Sequence, residues 1–449
     1  MKISFFLQGS IVFSLCLAFD NPQFSAFGAI VIFLMFLLNR FKQLGHQFVD
    51  AGTAFAVNSL ISSYSNFVAV STTDPIKLNH FFNYTVETYI TEAYHIHFLG
   101  NFIILTVFLW LEKTRLKLPS IRGMVVYPKA FNFIFLAGIL SLGIMYNGLP
   151  GFLGTIRQFF IQLLLAAILV LAWGSIRYRS WRIDIQLFTL FSLATIYNFL
   201  FSYLRVNMIL PALALVLGLY WGYGTVKKLL TSIRVFPIYI FVALFISFFS
   251  YFGLNRSSIG AGSERLIAIS QEVESIDATT SGSEFLTRFS TINQLTNVVN
   301  LTETKGFYNG QTLNYLGFAF IPRFLWPEKP VIAQGVWFAF EIGQALKTET
   351  WYNNSINMTI PGEFYLNFGW AGVVVGCFLF GGFWALLWRS TGFWERPRDF
   401  LGKIWGFYLL FLGFFGLGAD LQILVTLIAM YLLFLFISKF IWGLLFART

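Results

Sequence analysis

The feature that most constrains this chain is a long succession of apolar runs, interrupted by short loops that are alternately rich and poor in Lys and Arg. Twelve runs can be read, at 3–19, 24–39, 48–70, 98–112, 130–147, 159–176, 185–203, 206–223, 235–253, 365–388, 404–418 and 422–443. About 20 apolar residues in a helix cross a bilayer, and within lipid a helix satisfies its own backbone N–H and C=O groups. The expectation is an all-α polytopic membrane protein with about 12 transmembrane helices. Composition agrees, since only 11% of the 449 residues are charged, against about 25% in a soluble domain. A soluble enzyme, a disordered tail and a disulfide scaffold are excluded. Cys16 and Cys377 both lie inside apolar runs and act as packing residues. The run 48–70, FVDAGTAFAVNSLISSYSNFVAV, is rich in Ser, Asn and small residues, which suits a helix enclosed by other helices. The run 3–19 lacks a small-x-small cleavage site before Asp20 and is read as a span.

The loop charges set an orientation. Arg40 and Lys42, the Lys113–Lys129 cluster, Arg177, Arg179 and Arg182, Lys227, Lys228 and Arg234, and Arg389 to Lys403 fall in alternate loops. With Lys2, Lys439 and Arg448 they place 20 of the 30 basic residues on one side, beside only five of the 20 acids. The positive-inside rule makes that side cytoplasmic, with both termini there. The net charge of +10 then resolves into an inner face near +15 and an outer face near −5. It reports topology, and nucleic acid is not an expected partner.

The opposite face carries one long segment, 254–364, between two groups of spans at 1–253 and 365–449. Segments of this length without a separate domain are usually functional or disordered, and here signals of order are present. Ser263 and Glu264 open an amphipathic run with Leu266, Ile269, Val273 and Ile276 on one face. Ser283 is a candidate cap for a second run through Phe285, Phe289, Ile292, Leu295 and Val299. The chain has no phosphate-binding loop, no GxSxG elbow, no HExxH and no Cys/His cluster. His95 and His97, assigned to an outer loop at 71–97, form the one paired histidine motif. On a strand such a pair can hold a metal, whereas on a helix the rings point apart.

Several outer residues are not explained by topology. Arg157 and Arg205 stand at span entrances on the outer side, where a cation either snorkels to water or binds something. Arg288 follows in SEFLTRFSTINQL, and Arg323 sits in GFYNGQTLNYLGFAFIPRFLWPEKP, held between rigid prolines. Glu363 lies in IPGEFYLNFG at the next span entrance, where it is either a general base or an ion-pair partner of Lys329 or Arg323.

IPRFLWPEKP followed by IPGEFYLNFGWAGVVVGCFLFG resembles the bacterial oligosaccharide repeat-unit polymerases of the Wzy, or O-antigen polymerase, type. The LRVNMILPALALVLG turn is similar to that family's arginine at the start of a middle span, with Leu204 where a glycine or serine usually precedes it. The resemblance implies transfer of a growing glycan from undecaprenyl pyrophosphate to a hydroxyl of the next lipid-linked repeat unit. This would occur at the periplasmic face of the inner membrane, without a metal cofactor, in an architecture akin to GT-C glycosyltransferases. It further implies that Arg157, Arg205 and Arg323 bind pyrophosphate or glycan, with Glu363 as base. Arg288, Lys329, Trp326, Tyr308, Tyr365 and Asn367 become candidate substrate contacts. A flippase and a chain-length regulator are the protein partners it suggests. A ligase that moves finished glycan is a weaker match, because its usual histidine is missing from 254–364. A transporter is weaker too, because the spans carry hardly any central charge and no repeat is evident.

Overall fold

The computed structural model describes residues 2–45, 48–72, 87–112, 114, 116–122, 130–147, 154–201, 205–224, 226–231, 290–319, 321, 326, 328–330, 333–344, 355–396, 399–416 and 421–441. The predicted span 235–253 and the run 263–276 lie outside them, as do Arg288 and Arg323. Among the described residues the protein is all-helical, with no β-strand. The helices in chain order are α1 (Lys2–Phe19), α2 (Pro22–Leu44), α3 (Ala51–Thr72), α4 (Glu87–Leu111), α5 (Ala130–Asn147), α6 (Gly154–Tyr178), α7 (Trp181–Phe201), α8 (Arg205–Tyr223) and α9 (Val226–Thr231). They continue with α10 (Ile292–Lys305), a 3-10 turn Gln311–Gly317, α11 (Gln334–Glu341), α12 (Ile360–Thr391), α13 (Phe400–Phe411) and α14 (Gln422–Phe436).

Among the described residues, five helical segments are long and apolar enough to cross a membrane: Pro22–Leu44, Tyr89–Leu111, Phe160–Tyr178, Ile360–Thr391 and Gln422–Phe440. Shorter apolar helices occur at Ser4–Phe19, Ala130–Met145, Leu210–Tyr223 and Phe400–Phe414. Several of these helices, and α7, present apolar outward faces. Phe6, Leu7 and Ile11 of α1, Phe133, Leu136 and Leu140 of α5, Ile185 and Phe188 of α7, and Val375, Phe378 and Leu379 of α12 are all exposed. Rows of that size are untenable in water and are what lipid requires. The chain is an all-α membrane protein.

Two compact units are present. The first, Met1–Ile121, Thr287–Gly392 and Leu409–Ile441, is centred on the packing of α4 against α12. The helices approach closely at Gly381, where a Cβ would stand 2.7 Å from the Ile104 carbonyl oxygen, the small-residue contact usual between membrane helices. The helix α3 packs on α2 and α4, and its polar side chains Ser59, Ser62, Ser63, Ser65 and Asn66 are buried, as its composition suggested. At one end of this unit the Arg40 guanidinium makes a two-pronged bond to Glu112 at 2.8 Å on both nitrogens, and also reaches Asp50. Arg389 donates at that same end to the carbonyls of Leu111, Thr114 and Leu116.

The opposite end of the first unit holds the start of α4, which begins at Glu87, earlier than the apolar run indicated. His95 and His97 are therefore inside a helix, buried, and not in a loop. Their rings face different neighbours: His95 lies edge-on to Phe13, and His97 meets Ser63, Asn101 and Thr291. The helix α10 begins at Ile292, so a run continuous from Ser283 is not what forms; Ser290 and Thr291 are non-helical. The cap comes from another helix, because Asn66 Oδ1 accepts from the Ser290 hydroxyl and from the N–H groups of Thr291 and Ile292 at 2.8–3.2 Å. Ile292, Leu295 and Val299 form the buried face, as expected.

The second unit, Arg122–Leu286, Phe393–Tyr408 and Trp442–Thr449, is built on α6, which packs against α5, α7 and α8. Residues Leu164–Ala172 of α6 are buried on every side. Lys403 is also buried in this unit, with its ammonium 4.3 Å from the Trp221 ring centre and 4.0 Å from that of Phe393. The aromatic faces supply the electrostatic attraction that water would otherwise provide.

Candidate functional site

The site is organised by a break in α12. A straight helix of 32 residues would be about 48 Å long, well beyond the roughly 30 Å hydrocarbon core. At Gly369 the backbone leaves the helix, with φ 61° and ψ −149°, a conformation open essentially to glycine. The break releases the carbonyls just before it from helical hydrogen bonding. The segment following α10 takes them up: Tyr308 N–H donates to Leu366 O at 3.1 Å and Asn309 N–H to Asn367 O at 3.0 Å. The Gly310 N–H then donates to Asn367 Oδ1 at 2.9 Å. The motif GFYNG is thereby fastened onto the motif IPGEFYLNFG.

Beneath this junction lies a fully buried polar cluster. Asn367 Nδ2 donates to Thr312 Oγ1 at 2.6 Å and to the Glu363 carbonyl at 2.8 Å. The Thr312 hydroxyl in turn donates to Glu363 Oε1 at 3.2 Å, and the other Glu363 oxygen accepts the Leu421 N–H at 2.6 Å. Thr359 caps the first turn below Glu363 by accepting from Gly362 N–H at 3.1 Å. Glu363 thus has no open face of its own, and Thr312 stands between it and the space above.

That space is a cavity of about 480 Å³ lined by Tyr308, Gln311, Thr312, Asn314, Ala333, Gln334 and Trp337. The rings of Tyr308 and Trp337 meet edge to face, with centres 5.3 Å apart. Gln334 Nε2 donates to Thr312 O at 2.9 Å, which ties α11 to the 3-10 turn. At the margin Glu341 pairs with Lys305 and lies 3.5 Å from the Tyr308 hydroxyl. Burial, followed by the Glu341 carboxylate, raises the phenol's pKa above its usual value and keeps it a donor. A second, smaller cavity of about 20 Å³, the size of a single water, lies among Asn58, Ser62, His97, Asn101, Thr291 and Thr359.

The structure therefore brings Tyr308, Glu363 and Asn367 together and gives Tyr365, Lys329 and Trp326 other partners, while Arg288 and Arg323 lie outside the described residues. Tyr365 is buried with its ring against Phe307 and Trp370, and its hydroxyl donates to Glu92 of α4. Lys329 does not pair with Glu363; its ammonium donates to the carbonyls of Ala319 at 2.6 Å and Ile321 at 3.0 Å. Trp326 rests edge-on against Phe318 and is partly exposed. Arg157 lies in the first turn of α6 and Arg205 is the first residue of α8, both in the second unit. Sequence reasoning did not single out Gln311, Thr312, Asn314, Gln334 or Trp337. The available signal was the density of side-chain amides and aromatics over 308–337.

No curated protein and no solved structure matches this chain. A family model described as a domain of unknown function, DUF8712, matches residues 45–441. That range takes in every described element from α3 to the end of α14, including both motifs of the junction, and the chain belongs to the DUF8712 family.

Proposed function

We propose that this protein is a membrane glycosyltransferase that joins lipid-linked oligosaccharide repeat units into a surface polysaccharide at the periplasmic face of the bacterial inner membrane. The observation that carries the reading is the junction itself. The two stretches on either side of the proline-rich Arg323 loop, GFYNGQTLNYLG and IPGEFYLNFG, are hydrogen-bonded into one platform, with a buried carboxylate below it and an aromatic, amide-lined cavity above. The accompanying topology has about 12 spans, both termini in the cytoplasm and segment 254–364 in the periplasm. It is supported in the first unit by Arg40, Asp50, Glu112 and Arg389 gathering at one end, with Asn66, Glu92 and Ser290 at the other.

In this reading the donor is a glycan on undecaprenyl pyrophosphate and the acceptor is a hydroxyl of the next repeat unit. The acceptor oxygen forms the new glycosidic bond while the bond to pyrophosphate breaks and its electron pair stays on the phosphate. Arg323, with Arg288, stabilises that growing charge through planar two-pronged contacts, and Arg157 and Arg205 are the corresponding candidates within the second unit. Arg157 and Arg205 both open helices, whose N-terminal partial charge adds to their own. Because Glu363 is sealed below Thr312, it takes the acceptor's proton through the Thr312 hydroxyl. Thr312 receives the proton from the acceptor and passes its own to Oε1.

Arg323→Ala is the decisive variant. Long glycan chains should disappear while protein level and single-repeat capping of the surface persist. Loss of all surface glycan, single repeats included, would indicate a flippase and overturn the reading. In vitro, purified protein and a synthetic polyprenyl-pyrophosphate repeat unit should give longer glycans without added divalent cation.

A further inference from the structure

We infer that the cavity between the 3-10 turn Gln311–Gly317 and α11 is a subsite for an uncharged segment of the glycan, recognised independently of the lipid carrier. The inference deepens the glycosyl-transfer reading and depends on it for the identity of the substrate. Its volume of about 480 Å³ lies within the roughly 300–1,000 Å³ of small-molecule sites. The described lining contains two aromatic rings, three amides and the hydroxyls of Tyr308 and Thr312, and no charged side chain.

Each component suits a sugar. Tyr308 and Trp337 stand at 86° to one another, which leaves a ring face for the C–H surface of a pyranose and gives that face a fixed direction. The amides of Gln311 and Asn314 make no hydrogen bond among the described residues, and both residues are exposed. Gln334 uses its nitrogen on Thr312 O, and its oxygen is not so engaged. An amide presents a donor and an acceptor side by side, which matches neighbouring hydroxyls on one ring. The described lining carries no cation, and Lys305 at its margin is paired with Glu341, so a phosphate or carboxylate meets no opposite charge on the described lining. The floor is held in advance by the Asn367–Thr312–Glu363 cluster, which reduces the ordering cost on binding.

The test applies the purified full-length protein in detergent to an array of soluble neutral and acidic oligosaccharides that carry no lipid. Retention on neutral glycans, unchanged between low and high salt, is the expected result. The double variant Gln311→Leu with Asn314→Leu alters only exposed positions and should weaken that retention about tenfold, as should Trp337→Ala. Retention on acidic glycans alone, absence of retention on any neutral glycan, or retention unaffected by the double variant would each overturn the inference. The transfer assay separates the two readings. A protein that lengthens lipid-linked glycan but retains no soluble sugar refutes the subsite alone. One that retains neutral sugar in the cavity but never lengthens glycan refutes the polymerase reading.

Discussion

Asn367 is the side chain whose removal tests the architecture of the site most directly. It is fully buried, and its amide is used at both ends, accepting from Gly310 N–H at 2.9 Å and donating to Thr312 Oγ1 at 2.6 Å and to the Glu363 carbonyl at 2.8 Å. At about 0.5–1.5 kcal/mol net for each bond, Asn367→Ala should cost roughly 1.5–4.5 kcal/mol of local stability. The bonds from Tyr308 and Asn309 to the carbonyls of Leu366 and Asn367 are made by backbone and survive the change. The loss should therefore be confined to Gly310–Thr312. Amide hydrogen exchange on the purified full-length protein reads this as about 10- to 2,000-fold faster exchange at Gly310, with Tyr308 and Asn309 little altered. Asn367→Asp sharpens the test, since it keeps the acceptor for Gly310, removes both donors and sets a second carboxylate one helical turn from Glu363. Gly310 should then stay protected while glycan transfer falls. Wild-type exchange at Gly310 in Asn367→Ala would refute the claim that this amide anchors the loop.

The remaining predictions follow from other contacts. Thr312→Val removes the hydroxyl between cavity and Glu363, and transfer should fall as far as it does in Glu363→Gln, with protein level preserved; full activity in Thr312→Val would end the relay. Asn66→Ala strips the cap from α10 and should cost about 0.5–2 kcal/mol, seen as earlier proteolysis within 290–305 and a lower melting temperature. Arg40→Ala leaves Asp50 and Glu112 without their partner at a buried site, a loss of about 3–5 kcal/mol that should show as strongly reduced protein in the membrane. Arg40→Lys should rescue it only in part, because an ammonium cannot reproduce the two-pronged contact with Glu112.

Much of the helical layout was open to reading because apolar runs in a bilayer report length and polarity directly. The span ends were read less well. The start of α4 was missed because 87–96 is polar by composition, yet Ile90 and 93–96 are buried in a helix that packs against α1, α3 and α10, where partners replace the solvent that such residues usually need. The start of α10 was missed because its cap, Asn66, comes from a helix more than two hundred residues earlier in the chain.

The same division holds at the site. The sequence alone determined an all-helical membrane chain and a Gly-Glu-x-Tyr-x-Asn motif at the start of an apolar helix. Only the tertiary structure decided what the motif's residues face. One helical turn points Glu363 and Asn367 to the buried side and Tyr365 to Glu92, a choice set by which helices pack around α12. The reversal at Gly369 frees carbonyls that a continuous helix would have used itself, and those carbonyls bring Tyr308 and the cavity residues to the motif. A hydrogen bond between segments nearly sixty residues apart leaves no periodicity in the sequence, because it depends on where two chains meet and not on the spacing within either.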